Sequence, residues 1–80
     1  MNITIYTTPY CHYCKMTKEF LSQNNVQYTE KNVATDKDAA EEMIEKTHQM
    51  GVPVTVISDE KGEHIIIGFD EEGFKSALGI

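Results

Sequence analysis

Thr7 to Lys15 reads T-T-P-Y-C-H-Y-C-K and holds both cysteines of the chain, Cys11 and Cys14, with His12 and Tyr13 between them. Just upstream, Asn2 to Tyr6 alternates as N-I-T-I-Y with β-branched and aromatic residues, the pattern of a short strand. Pro9 bars easy continuation of either a strand or a helix. From His12 or Tyr13 to about Asn24 the period turns helical, with Tyr13, Met16 and Phe20, joined by Thr17 and Leu21, on one face. The paired thiols therefore fall where a first strand hands over to a first helix.

Beyond that junction, Val26 to Val33 alternates again and predicts a second strand. Thr35 followed by Asp38 resembles a capping box with an acid in place of Glu or Gln, opening a helix from about Asp36 to His48. Its expected buried stripe is Ala40, Met43, Ile44 and Thr47. Met50-Gly51-Val52-Pro53 interrupts. Val54 to Ser58 and Glu63 to Ile67 then form a hairpin about a turn at Asp59 to Gly62. Gly68-Phe69-Asp70 leads into a last helix, with Phe74, Ala77 and Leu78 inward and Gly79 at its end.

The order β-α-β-α-β-β-α predicts an α/β fold with a four-stranded mixed sheet flanked by three helices. The first two strands, joined through a helix, should be parallel with a right-handed crossover, and the last two antiparallel. No linker, repeat or low-complexity stretch divides the chain, so residues 1–80 are expected to form a single domain.

Eighty residues lie near the lower limit at which one core holds without staples. Hydrophobic residues at 40% and charged residues at 25% are ordinary for a globular chain. No apolar run approaches the ~20 residues of a membrane span, and the N-terminus lacks a charged stretch followed by an apolar segment. The expectation is a soluble protein of the cytoplasm. Net charge is −6, from 13 acidic and 7 basic residues, with no basic patch, which argues against a nucleic-acid partner. The acid excess lies in Asp36 to Glu45 and Asp70 to Glu72. Such runs are usually solvated helix faces; the other reading is steering of a basic partner toward the site.

Two close thiols admit three chemistries. As a staple, a bridge between positions 11 and 14 closes a tiny loop and removes little unfolded-state entropy. A zinc site needs two further ligands, and none of His12, His48 and His64 has a spacing that completes a set with both cysteines. A redox couple fits best. The first helical turn leaves N–H groups unpaired and carries the positive end of the peptide dipoles, so a Cys11 thiolate is favoured there. Such sites draw a cysteine pKa from ~8.5 toward about 3.5 to 7.5. Cys14, one turn deeper, is expected to be more buried and to hold its proton more tightly. That asymmetry suits attack by one thiol and resolution by the other. His12 either tunes the pair as a nearby cation or is an ordinary exposed residue; His48 and His64 are expected at the surface.

With T-T-P-Y-C-H-Y-C opening the first helix, M-G-V-P-V before the third strand and G-F-D before the last helix, the whole chain resembles the small bacterial glutaredoxin-like proteins. The resemblance implies the thioredoxin fold and thiol-disulfide oxidoreductase activity. It makes Cys11 the nucleophile and Cys14 the resolving thiol. Pro53 matches the family's cis-proline, with the Val52 backbone open to an extended substrate segment, and Tyr13 matches an aromatic that flanks substrate. Gly68, Phe69, Asp70 and Glu71 match the segment that holds the γ-glutamyl end of glutathione, although Asp70 also suits simple helix capping.

Three positions depart from the family pattern: Ile67 replaces the first of two glycines, Thr8 a lysine that pairs with a glutathione carboxylate, and His12 a proline. The implied partners are disulfide-containing proteins, with glutathione as co-substrate, no tightly bound cofactor or metal, and a monomeric chain. A related branch, the redoxins that serve ribonucleotide reductase, takes electrons from thioredoxin reductase. Its W-S-G-F-R-P pattern is absent, Ile66 to Glu71 standing in its place. Two non-catalytic alternatives remain: an iron-sulfur or other metal-binding module bridged through Cys11, and a redox-regulated adaptor binding through Tyr10, Tyr13 and Phe69.

Overall fold

Alternation in β1 (Asn2–Thr7) points Ile3, Ile5 and Thr7 to one side of the sheet and Tyr6 to the other, and both sides are buried. A central strand covered on two faces follows from that pattern. The computed structural model describes residues 1–80 and continues with α1 (His12–Gln23), β2 (Thr29–Asn32), α2 (Lys37–Thr47), β3 (Val54–Asp59), β4 (Gly62–Ile67) and α3 (Glu71–Leu78). This is the expected order, and the sheet runs β2-β1-β3-β4. β1 is parallel to β2, with Ile5 opposite Glu30 and Thr7 opposite Asn32. β3 is antiparallel to both β1 and β4, the β3–β4 pairing running from Val54–Ile67 to Asp59–Gly62.

The core divides along the sheet. On one face Ile3, Leu21, Ile57, Ile66 and Phe74 pack together, bringing α1 and α3 onto the strands. On the other, Tyr6, Val54 and Val56 meet Met43 of α2. Helices on both faces leave the junction between β1 and α1 at one end of the sheet, which is where Cys11 and Cys14 lie.

Several local expectations shift by a residue or two, each for a visible reason. The buried stripe of α1 is Cys14, Thr17 and Leu21, while Tyr13 is 60% exposed and Met16 and Phe20 are half-buried. The small Cys14 and Thr17 let the helix approach the sheet, and the Thr17 hydroxyl is satisfied by donating to the Tyr13 carbonyl at 2.8 Å. Asp36, rather than Thr35, caps α2, accepting from the Ala39 N–H at 3.1 Å. The preceding turn is taken up by Asn32, whose carbonyl receives the Asp36 N–H at 2.9 Å and whose side chain receives the Ala34 N–H at 2.9 Å. The helix thus starts later, and its buried stripe is Ala39, Met43 and Thr47; Ala40 is half-buried and Ile44 is 41% exposed. Val26 and Tyr28 pack on the core from the loop before the shorter β2.

Asp70 caps α3, its carboxylate accepting from the Gly73 N–H at 3.0 Å. A Cβ on Gly73 would lie 2.6 Å from the other Asp70 oxygen, so a side chain there would push the capping carboxylate aside. Asp70→Ala is expected to cost about 1 kcal/mol. In a chain of this size that lowers Tm by roughly 4–8 °C, and an unchanged calorimetric melt would show the cap to be idle.

Candidate active site

Cys11 is the residue that starts α1. Its backbone is extended (φ −101°, ψ 113°), and its sulfur takes the place of a capping oxygen, accepting the Cys14 N–H at 3.1 Å. The Cys11 thiol in turn points at the Val52 carbonyl, 3.7 Å away. Cys11 is half-buried, whereas Cys14 is 1% exposed, and both are free thiols. Burial, and next the hydrogen bond with Cys11, push the Cys14 thiol up to about 12. The two sulfurs share one helical turn but differ sharply in access.

The Val52–Pro53 peptide is cis, as the family resemblance implies. Pro53 is buried, and its carbonyl accepts the Gly68 N–H at 2.9 Å, tying the segment between β4 and α3 to the loop beside Cys11. Gly68 makes that turn with φ +74°, a region open to glycine. Cys11, Cys14, Val52, Pro53 and Gly68 are thereby brought together.

The remaining candidates lie at the margin. Phe69 is half-buried on the core, its ring edge-on to Phe20 at 5.8 Å. The Asp70 carboxylate is engaged as the α3 cap, and Glu71 forms an ion pair with Lys75 at 3.5 Å. His12 is exposed as the first residue of α1, with its ring edge-on to Tyr13 at 5.9 Å. Tyr10 is 98% exposed. No three His, Cys, Asp or Glu side chains converge as a set able to hold a metal ion, and no helix is long and apolar enough to cross a membrane.

One group of residues beside the thiols went unrecognised in the sequence. Glu30 of β2 accepts from the buried Thr7 hydroxyl at 2.7 Å and from the Lys18 ammonium at 2.9 Å, through the same oxygen. Those two bonds hold the Glu30 carboxyl below its ordinary range, and Glu30 holds the Lys18 proton more firmly. Lys18 stands four residues after Cys14 on α1, a spacing visible in the sequence; its partner on β2 is not.

The family model for glutaredoxin matches residues 3–65. An uncharacterized glutaredoxin-like 8.6 kDa protein in the rubredoxin operon of Clostridium pasteurianum is 44% identical over 86% of this chain and 87% of its own length. Among solved structures, the thioredoxin-like protein BC3987 is 35% identical, covers 94% of this chain and 97% of its own, and superposes with a TM-score of 0.83. NrdH-redoxin from Escherichia coli, described as a glutaredoxin-like protein with a thioredoxin-like activity profile, is 26% identical with a TM-score of 0.77, covering 94% and 93% of the two chains. With the cysteine pair at the start of α1 and these likenesses across nearly the whole fold, the chain belongs to the glutaredoxin family and is a thiol redox protein.

Proposed function

We propose that this protein is a dithiol-disulfide oxidoreductase that reduces protein disulfides or glutathione mixed disulfides in the cytoplasm, as a monomer. The observation that carries this is the asymmetry of one helical turn: Cys11 half-exposed at the helix start, Cys14 buried beneath it. The Cys11 thiolate attacks a substrate disulfide, forming a mixed disulfide and expelling one substrate sulfur as a thiolate. The Cys14 thiolate then attacks the Cys11 sulfur, closing the Cys11–Cys14 disulfide and expelling the second substrate sulfur. The substrate gains two electrons and the protein loses two, to be restored by an external thiol reductant. An extended substrate segment lies along the Val52 backbone, flanked by Tyr13, with His12 next to Cys11 as the residue that tunes the pair.

Two reductants compete for the restoring step. Glutathione, held at Gly68 to Glu71, is the reading the family suggests. Thioredoxin reductase is favoured by three features: the Asp70 carboxylate is occupied by the cap, Phe69 is packed on Phe20, and, ahead of α1, Thr8 stands where a lysine would pair with glutathione. The thioredoxin-like profile ascribed to the Escherichia coli redoxin supports the same alternative.

The test offers oxidised protein to two NADPH-coupled systems, one with glutathione and glutathione reductase, the other with thioredoxin reductase. Consumption of NADPH with glutathione assigns that co-substrate; consumption only with thioredoxin reductase assigns the redoxin role. Failure of both, with the pair also resistant to dithiothreitol, would remove the oxidoreductase proposal. The variant Cys14→Ser sharpens the choice. It is expected to keep activity toward glutathionylated substrates only if glutathione is the partner, since a lone Cys11 needs a second, external thiol to finish the exchange.

A further inference from the structure

The exchange leaves one physical problem. Cys14 must attack as a thiolate, yet it is 1% exposed and its proton is held firmly by burial. The Thr8 backbone works against that burial by hydrogen bonding, and a fixed positive charge nearby would work with it at the moment of attack.

Helical geometry offers one. Residues at i and i+4 are neighbours on a helix surface, about 5–6 Å apart at Cβ, and helical side chains lean toward the N-terminus. Lys18 stands in that relation to Cys14. Left alone, a lysine at this position would swing into solvent on its four-carbon stem. Here it is tethered: Glu30 of β2 receives its ammonium at 2.9 Å, and the same carboxylate oxygen is fixed by the buried Thr7 hydroxyl of β1 at 2.7 Å. Three elements thus converge to fix one cation on α1, near enough to Cys14 for its charge to act there.

We infer that Lys18, held by Glu30 and Thr7, is the positioning cation of the resolving thiol, its ammonium supporting the Cys14 thiolate as it attacks the Cys11 sulfur. The inference rests on the oxidoreductase reading above and assigns a residue to its second step. The electrostatics agree in sign. Lys18 acts to ease Cys14 ionisation, and Glu30 acts to keep Lys18 charged. The groups acting here are Cys11 and Lys18 on α1, the Thr8 backbone ahead of it, and Glu30 with Tyr28 on the β2 side, both of which hold the proton on Lys18; Thr7 of β1 is uncharged. In the resolving step the Cys14 proton passes to water, the Cys11–Cys14 bond forms, and the bond from Cys11 to the substrate sulfur breaks with that sulfur leaving as a thiolate.

The step can be watched directly with one equivalent of 5,5′-dithiobis(2-nitrobenzoate) added to the reduced protein. Attack by Cys11 releases a first equivalent of coloured thionitrobenzoate, and closure by Cys14 releases a second. Lys18→Met is expected to leave the first phase unchanged and to slow the second about tenfold near neutral pH. The rise of its rate with pH should move upward by about one unit, the shift equivalent to that factor. Lys18→Arg, which keeps the charge, should restore most of the second phase. The inference is overturned if Lys18→Met shows the wild-type pH profile in the second phase, if its first phase slows equally, or if Lys18→Arg is as slow as Lys18→Met, which would mark a packing role. Failure of the underlying reading looks different: Cys11→Ser would then still release the first equivalent at the wild-type rate.

Discussion

Cys11→Ser should lose turnover on every disulfide substrate, by a factor on the order of 10³ or more. A serine hydroxyl stays protonated where a thiolate forms, and it yields no disulfide with substrate, so neither step of the exchange begins. The structure makes this an unusually clean test, because Cys11 is also the residue that caps α1 through its sulfur. Serine is among the preferred residues at that position, its hydroxyl accepting the same N–H. The variant is therefore expected to fold with an unchanged or slightly higher Tm while its activity disappears. Activity near wild type in an NADPH-coupled disulfide-reduction assay would sink the assignment of Cys11 as nucleophile. Loss of both activity and fold would contradict the capping geometry instead.

The placement of this site was legible in the sequence because it depends on local chemistry. A strand ending at Tyr6, a proline at position 9 and a helical period from about His12 leave the two thiols only one junction to occupy. The same holds for Phe74, Leu78 and Gly79, where apolar spacing and a terminal glycine mark an inward face and a helix end. What escaped depends on packing between elements. Tyr13 falls on the apolar face by spacing, but in the first turn it stays 60% exposed, and the smaller Cys14 takes the buried position. Asn32 consumes the turn before α2, so the cap moves from Thr35 to Asp36 and the stripe moves with it, exposing Ile44. The Thr7–Glu30–Lys18 group joins residues far apart in the chain through the parallel pairing of β1 and β2. No periodicity within one element signals a carboxylate shared by three of them.

Phe74→Ala should have the largest effect on stability, about 3–5 kcal/mol. Phe74 is fully buried where α3 meets the sheet, among Ile3, Leu21, Ile57 and Ile66, with its ring 5.8 Å from Phe20. Truncation removes the transfer energy of the ring and leaves a void that five neighbours on three strands and a helix close only in part. A chain of this length typically has roughly 4–12 kcal/mol of stability in all, so the variant should be marginal and partly unfolded at 37 °C. The loss reaches the site by a short route. Phe20 contacts both Phe74 and Phe69, and Phe69 follows Gly68, whose N–H is bound to the Pro53 carbonyl beside Cys11. Loosening α3 therefore frees the Gly68 segment tied to Pro53 before the sheet itself fails. In urea, the unfolding midpoint should fall steeply with little change in slope, and activity should be lost at lower urea than the β-sheet signal. Phe74→Leu, which keeps most of the volume, should recover much of the midpoint. A Phe74→Ala midpoint equivalent to less than about 2 kcal/mol of destabilisation, below the range seen for buried Phe, would mean that α3 repacks around the void and does not hold the Gly68 segment in place.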